Sequence, residues 1–313
     1  MTTVLDIVLQ SGRSVVELSL FTLLPIMTLM MAIMRLLDDR GVLRAIAVVL
    51  AGPFVLIGLP GIASLAMLQL TFVSYAAPLA TLRLIDSDTR IDRRHLAATF
   101  AMIMAMSQAN AVFPMAAVGL NVGFTIATSV GAGLVAAALC YYVFARGYGD
   151  AADAPGEELS EQAHERRPAF ASLSAGGEEG MVMAFKAVPL LLIALVFVNS
   201  LRALGLIEWL GVVLGPVLTR VGIPGVAVVP IVTKYIAGGT AMMGIAMDLI
   251  REGAMTAVEL NRIAGFIINP FDVIGVALYG NIGARTGQVV RPAVAAAAVA
   301  MVLRGVVHLI VFA

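Results

Sequence analysis

The sequence predicts an all-α, polytopic membrane protein: about ten membrane segments in two inverted-topology repeats, with broken or re-entrant helices. Three observations predict it. Of 313 residues, 60% are hydrophobic and only 13% charged, and the mean hydropathy is +0.98; a soluble domain is nearer half apolar and a quarter charged. Several uninterrupted apolar runs approach the roughly 20 residues a helix needs to cross a bilayer. Finally, Pro25, Gly41, Gly58, Pro60 and Gly61 recur 164 residues later as Pro189, Gly205, Gly222, Pro224 and Gly225. Glycine and proline mark backbone geometry, so their recurrence in register predicts two copies of one fold unit.

Residues 1–17 carry Asp6, Arg13 and Glu17. They read as an amphipathic lead-in with no cleavable signal, so the first spanning helix serves as the insertion signal. Apolar segments of the first repeat (18–146) fall at about 18–36, 43–57, 60–84, 96–117 and 122–145. Those of the second (185–313) fall at about 185–204, 207–220, 224–249, 261–279 and 289–312. In lipid every backbone group must be satisfied internally, so helices are expected, and the alternating pattern of a barrel is absent. Segments 43–57 and 207–220 are short and contain Gly-Pro, which suits broken or re-entrant helices. Residues 147–184 open on an acidic, Gly-, Ala- and Ser-rich stretch without apolar period and read as a flexible linker.

An odd number of segments per copy makes the second copy enter from the opposite side. Placing 35–44, 83–94, the linker, the Arg220 turn and 285–291 in the cytoplasm puts 14 of the 20 Lys and Arg there. Arg13, Arg202, Arg251, Arg262 and Arg304 then lie outside. The positive-inside rule favours that orientation, with both termini outward, in a bacterial cytoplasmic (inner) membrane. The expected partners are the bilayer and a small-molecule substrate, with homo-oligomerisation left open. Zero net charge argues against nucleic acid. A single cysteine, Cys140, and three scattered histidines offer no metal spacing, so no resident metal or cofactor is expected. No Walker A, HExxH or nucleophile–base pair is visible, so the chain does not read as an enzyme.

The residues that stand out are in "TKYIAGGTAMMG", 233–244. A lysine deep in an apolar helix costs at least ~2.5–3.5 kcal/mol, so Lys234 needs a partner or a hydrated cavity. Gly238-Gly239-Thr240 follows, the composition of a broken helix that frees backbone groups for a solute. Interface snorkelling and close packing through small residues are the competing explanations. The partner candidate is Asp272 in "NPFDVIG", after Asn269-Pro270. The two are expected to lie close together across the repeat interface, near the bilayer midplane, as a structural ion pair or as a functional one. The first copy has Leu70 and Val112 at the matching positions, and carries neutral polar groups nearby: Gln69, Ser74, Gln108 and Asn110. The expected substrate-binding set is therefore Lys234, Thr233, Tyr235, Gly238, Gly239, Thr240, Asn269, Gln69, Ser74, Gln108 and Asn110, with Asp272 carrying a coupling H+ or Na+.

The paired "GLPG" and "GIPG" segments, "TKYIAGGTAMMG" and "NPFDVIG" resemble the nucleoside recognition (Gate) domain membrane proteins, which include spore maturation proteins A and B. Related segments occur in concentrative nucleoside transporters and in the ferrous iron transporter B. The resemblance covers nearly the whole chain as two Gate units around the acidic linker. It implies a secondary transporter of a small polar solute (nucleoside, base or other organic anion or zwitterion), driven by protons or sodium. The alternative it implies is a non-transporting membrane assembly or morphogenesis protein of the spore maturation type. The iron-transporter relatives imply a G domain and membrane cysteines, which this sequence does not show.

Overall fold

The structure, a computed structural model, describes residues 4–149, 168–206, 209, 213, 218 and 220–313. Every described regular element is a helix. Five helices are long and apolar enough to cross a membrane: Val4–Asp39, Arg93–Ala116 (interrupted near its middle), Val122–Phe144, Ala169–Leu201 and Ala284–Val311. Among the described residues the remaining apolar segments are shorter or broken.

The first helix, α1 (Val4–Asp39), is continuous through a wider π turn at Glu17–Leu23. That turn ends just ahead of Pro25, which has no N–H to return to the preceding turn. The expected separate lead-in at 1–17 is thus the first part of α1. Gly41, at φ 73, turns the chain into α2 (Val42–Val55). Two short limbs follow, α3 (Ala63–Val73) and α4 (Pro78–Ser87), separated by extended backbone at Ser74. α5 (Arg93–Ala105) and α6 (Ala109–Ala116) form a second interrupted helix, broken at Met106–Gln108. Its hydrophobic window is 89% buried, against 22–39% for the other four long helices, which makes it the central element. α7 (Val122–Phe144) completes the first half.

The second half repeats the order. α8 (Ala169–Ala203) pairs along α1. It starts inside the stretch expected to be linker: only 150–167 lie outside the described residues, and 169–184 are helical. Gly176 and Gly180 explain the early start. A Cβ on either would meet the backbone of Met31 or Met27 at 2.5 Å, so glycine here lets two helices touch. Most of the 207–220 segment lies outside the described residues. Then come α9 (Val228–Ala237) and α10 (Gly239–Arg251), split at Gly238, α11 (Ala257–Ile267) and α12 (Val273–Gly280), split around Asn269–Asp272, and α13 (Ala284–Val311). Gly41 and Gly205 share positive φ (73 and 70), as do Gly58 and Gly222 (77 and 82), so the glycine offset corresponds to repeated backbone geometry.

The halves interleave. One apolar cluster unites α5 and α7 with Tyr279, Val289, Ala293 and Ala297 from the second half. The other unites α8, α10 and α11 with Val15, Leu18, Val112 and Met115 from the first. Outward faces carry Val49, Leu56, Phe170, Ile193 and Ile310, as a lipid-facing surface requires.

Candidate functional site

The helix breaks create the site. At each break the backbone leaves its ladder, and the freed groups need partners from elsewhere. Tyr75 N, just past the Ser74 break, donates to Asn110 Oδ1 at 3.1 Å, joining the α3/α4 break to the start of α6. Tyr75 O accepts from the Tyr279 hydroxyl of α12. Gln69 Oε1 accepts from Thr81 Oγ1 at 2.7 Å and ties the two limbs together. Gln108 precedes α6 and faces Gly239, where a Cβ would lie 3.0 Å from its Nε2. The α5/α6 and α11/α12 breaks also touch: Ser107 Oγ donates to Ile268 O at 2.8 Å.

Gly238, at φ 88, ends α9, and Gly239 starts α10. Positive φ is strained for any residue with a Cβ, which is why glycine stands there. Four residues before the break, Lys234 is fully enclosed (0% exposed). Its Nζ donates to Asp272 Oδ2 at 2.5 Å and to Phe271 O at 3.2 Å. Asp272 Oδ1 accepts from Gly275 N at 2.7 Å and caps α12. The carboxylate thus holds a buried ammonium and a helix N-terminus at once.

A cavity of about 210 Å³ opens beside these breaks, walled by Tyr75, Ala76, Asn110, Lys186, Thr240 and four apolar residues. Of the expected binding residues it collects Asn110 and Thr240 in its wall; Ser74, Gln108 and Gly239 precede the wall residues Tyr75, Asn110 and Thr240 by one or two positions. Two of those neighbours have unspent polar atoms. Ser74 Oγ (residue 1% exposed) and Gln108 Oε1 (residue 3% exposed) have no hydrogen-bond partner.

Other expectations differ. Lys234 is not in the cavity wall; its ammonium faces Asp272, because a lysine buried without an anion would be far costlier than a paired one. The pair lies within the second half rather than across the interface. Thr233 Oγ1 bonds back to Val229 O at 2.8 Å, and Tyr235 OH donates to Phe266 O at 2.9 Å. Asn269 spends both side-chain atoms on its own turn, at Phe266 O and Phe271 N. Gln69 is held by Thr81, as above. These four build the breaks and do not enter the cavity wall.

Two cations escaped the sequence reading. Lys186, counted with the cytoplasmic charges, lines the cavity. Arg304, assigned to the outside, is only 3% exposed. Its Nη1 donates to Ile268 O at 3.0 Å, and its Nη2 to Ser107 Oγ at 2.7 Å and Thr125 O at 3.3 Å. It binds the same two breaks that Ser107 joins. An arginine deep within the apolar run 289–312, well past Arg291 at its start, was the available signal, of the same kind that singled out Lys234.

Comparison with known proteins supports the resemblance read from the motifs. Residues 184–301 match the Gate family, described as nucleoside recognition. The chain is 35% identical over 83 residues to Spore maturation protein B of Bacillus subtilis (strain 168). That stretch is 26% of this chain and 46% of that protein, so the match spans under half of the curated relative. Among solved structures, CNTnw in an inward-facing substrate-bound state superposes with a TM-score of 0.68 at 16% identity, over 98% of this chain and 81% of that one. A variant of CNTnw in an outward-facing state gives 0.68 at 16%, over 97% and 82%. At such identities the likeness is one of fold.

Proposed function

We propose that this chain is a multi-pass secondary transporter of a small polar solute: a nucleoside, a base, or another organic anion or zwitterion. The observation that carries this reading is the cavity at the meeting of the breaks, whose wall brings Tyr75, Asn110, Lys186 and Thr240 together. The fold likeness to a transporter structure with bound substrate supports the reading. Discontinuous helices meeting near the middle of a two-repeat membrane protein are the usual frame of a secondary-transport site.

In this reading the halves are related by inversion, the termini face outward, and Asp272 is the coupling carboxylate with Lys234 as its resident counter-ion. Orientation is tested in the Cys140→Ala background by a cysteine at Ser160, which labels only after cells are permeabilised.

The function is tested by thermal shift of the purified protein against nucleosides, bases and small organic acids. A ligand at 100 times its Kd adds about 2.7 kcal/mol to stability. A hit that disappears in Gln108→Ala, followed by uptake of that solute into proteoliposomes, supports transport. The similarity to Spore maturation protein B supports the second reading, an assembly or morphogenesis protein. That reading prevails if no compound stabilises the protein.

A further inference from the structure

Lys186 has no role in the reading above, and its position is unusual. It stands at the middle of α8, whose 35 residues run alongside α1. Asn199 bonds Ser11 at one end of that pairing, and Gly180 packs on Met27 and Thr28 further along. Lys186 is therefore level with the apolar centre of α1, between Leu18 and Met31, and it shares the cavity wall with Met27. Lys186 is exposed rather than enclosed, and a charge at that level of a membrane helix is costly unless water or an anion meets it. Among the described residues no carboxylate pairs with it, and no Asp or Glu is in the cavity wall.

Two more sources of positive potential face the same space. α6 starts at Ala109 and α10 at Gly239, and their second residues, Asn110 and Thr240, are wall residues. In α10 the first N–H to bond back is that of Met242, to Gly238 O at 3.2 Å, so the amides ahead of it have no intrahelical acceptor. Each helix start carries the equivalent of about half a positive charge. The Gln108 side chain, 3% exposed, has its Nε2 3.0 Å from where a Cβ on Gly239 would stand, at the start of α10.

Resting on the transport reading, we infer that the solute is an organic anion, a carboxylate of single-ring size, and that Lys186 is the residue that selects its charge. The ammonium takes one carboxylate oxygen, and the α10 amides together with the Gln108 amide take the other. Size follows from the cavity, whose 210 Å³ is below the roughly 300–1,000 Å³ of most ligand pockets.

The test uses matched pairs on the purified full-length protein: uracil against orotate, and nicotinamide against nicotinate, with Kd read by calorimetry and thermal shift. The carboxylates are expected to bind at least tenfold tighter than their neutral partners. Lys186→Gln should weaken them at least tenfold, and Lys186→Arg should keep them within about threefold. Equal or tighter binding of the neutral members overturns the inference and leaves the transport reading intact. So does a panel in which only neutral nucleosides bind. No binding by any compound overturns both. The wild-type preference decides the charge class by itself, so the result does not depend on Lys186→Gln folding.

Discussion

A lysine and an aspartate 2.5 Å apart, enclosed to 0% and 7% exposure, are coupled more tightly than any surface pair. Their energetics are asymmetric. Removing both charges from such a pair is often neutral, whereas removing one strands the other without compensation. Asp272→Asn is therefore expected to cost about 3–5 kcal/mol, visible as a large fall in the detergent-solubilised Tm. Lys234→Met alone should cost less, because Asp272 keeps the Gly275 amide as a donor. The double variant should recover most of the lost stability while failing in ion-driven uptake. Full uptake by the double variant would make the pair scaffold only and remove the coupling role. The sequence identified both residues because a charge in an apolar run is conspicuous. It said nothing of Lys186 meeting Thr240 and Tyr75, because that juxtaposition depends on helices far apart in the chain.

At the scale of elements, the breaks at Gly238 and Ser74 differ in how far the sequence announced them. Gly238 adopts φ 88, a conformation that demands glycine, so its break was legible in "AGGT". Ser74 breaks its helix at φ −166, ψ 167, extended backbone open to any residue, and left only the later Pro78 as a sign. Segment 60–84 therefore read as a single span. The α1–α8 contact was hidden for a related reason: Gly176 and Gly180 sit among Glu178, Glu179 and serines, and their composition suggests a loop. Their value as glycines depends on a neighbour the sequence does not show. Gly180→Ala would place a methyl 2.5 Å from Met27 O and 2.7 Å from Thr28 Cα, backbone that cannot rotate away. Overpacking of this kind costs about 1–3 kcal/mol. Gly177→Ala meets only Thr28 Cγ2 at 3.5 Å and should be neutral or slightly stabilising through helix propensity. Equal losses from both in a Tm comparison would show that α1 and α8 do not pack as described.

For the whole molecule, glycine pairs with like backbone angles were legible in the sequence, and the interleaving of the halves was not. The glycines at a fixed offset share positive φ, but nothing in the sequence showed that each apolar cluster draws on both halves. The ties across the halves are also polar and numerous. Asp86 Oδ1 accepts from Thr286 N and Oγ1 at 2.5 and 2.6 Å, next to the start of α13. Asn261 Oδ1 accepts from Asn121 N at 2.7 Å, and its Nδ2 donates to Gly119 O at 2.8 Å. His308 Nε2 bonds Thr128 Oγ1 at 2.9 Å, and Arg304 bridges Ser107 to Ile268. Separating the halves would expose the α13 face that packs on α5 and α7 and leave the buried Arg304 guanidinium without its acceptors on Ser107, Thr125 and Thr128. All of these ties join residues that lie before 150 or after 167. The chain should therefore tolerate a cut that it could not tolerate as a separation. Fragments 1–158 and 159–313, expressed together, are expected to co-purify as one monodisperse species with a Tm within a few degrees of the intact protein. Each fragment expressed alone should aggregate or be degraded, since neither holds a complete core. A stable, monodisperse 159–313 fragment would show that the second half folds by itself, and the ties from Asn121, Thr128 and Ser107 would then be incidental to folding.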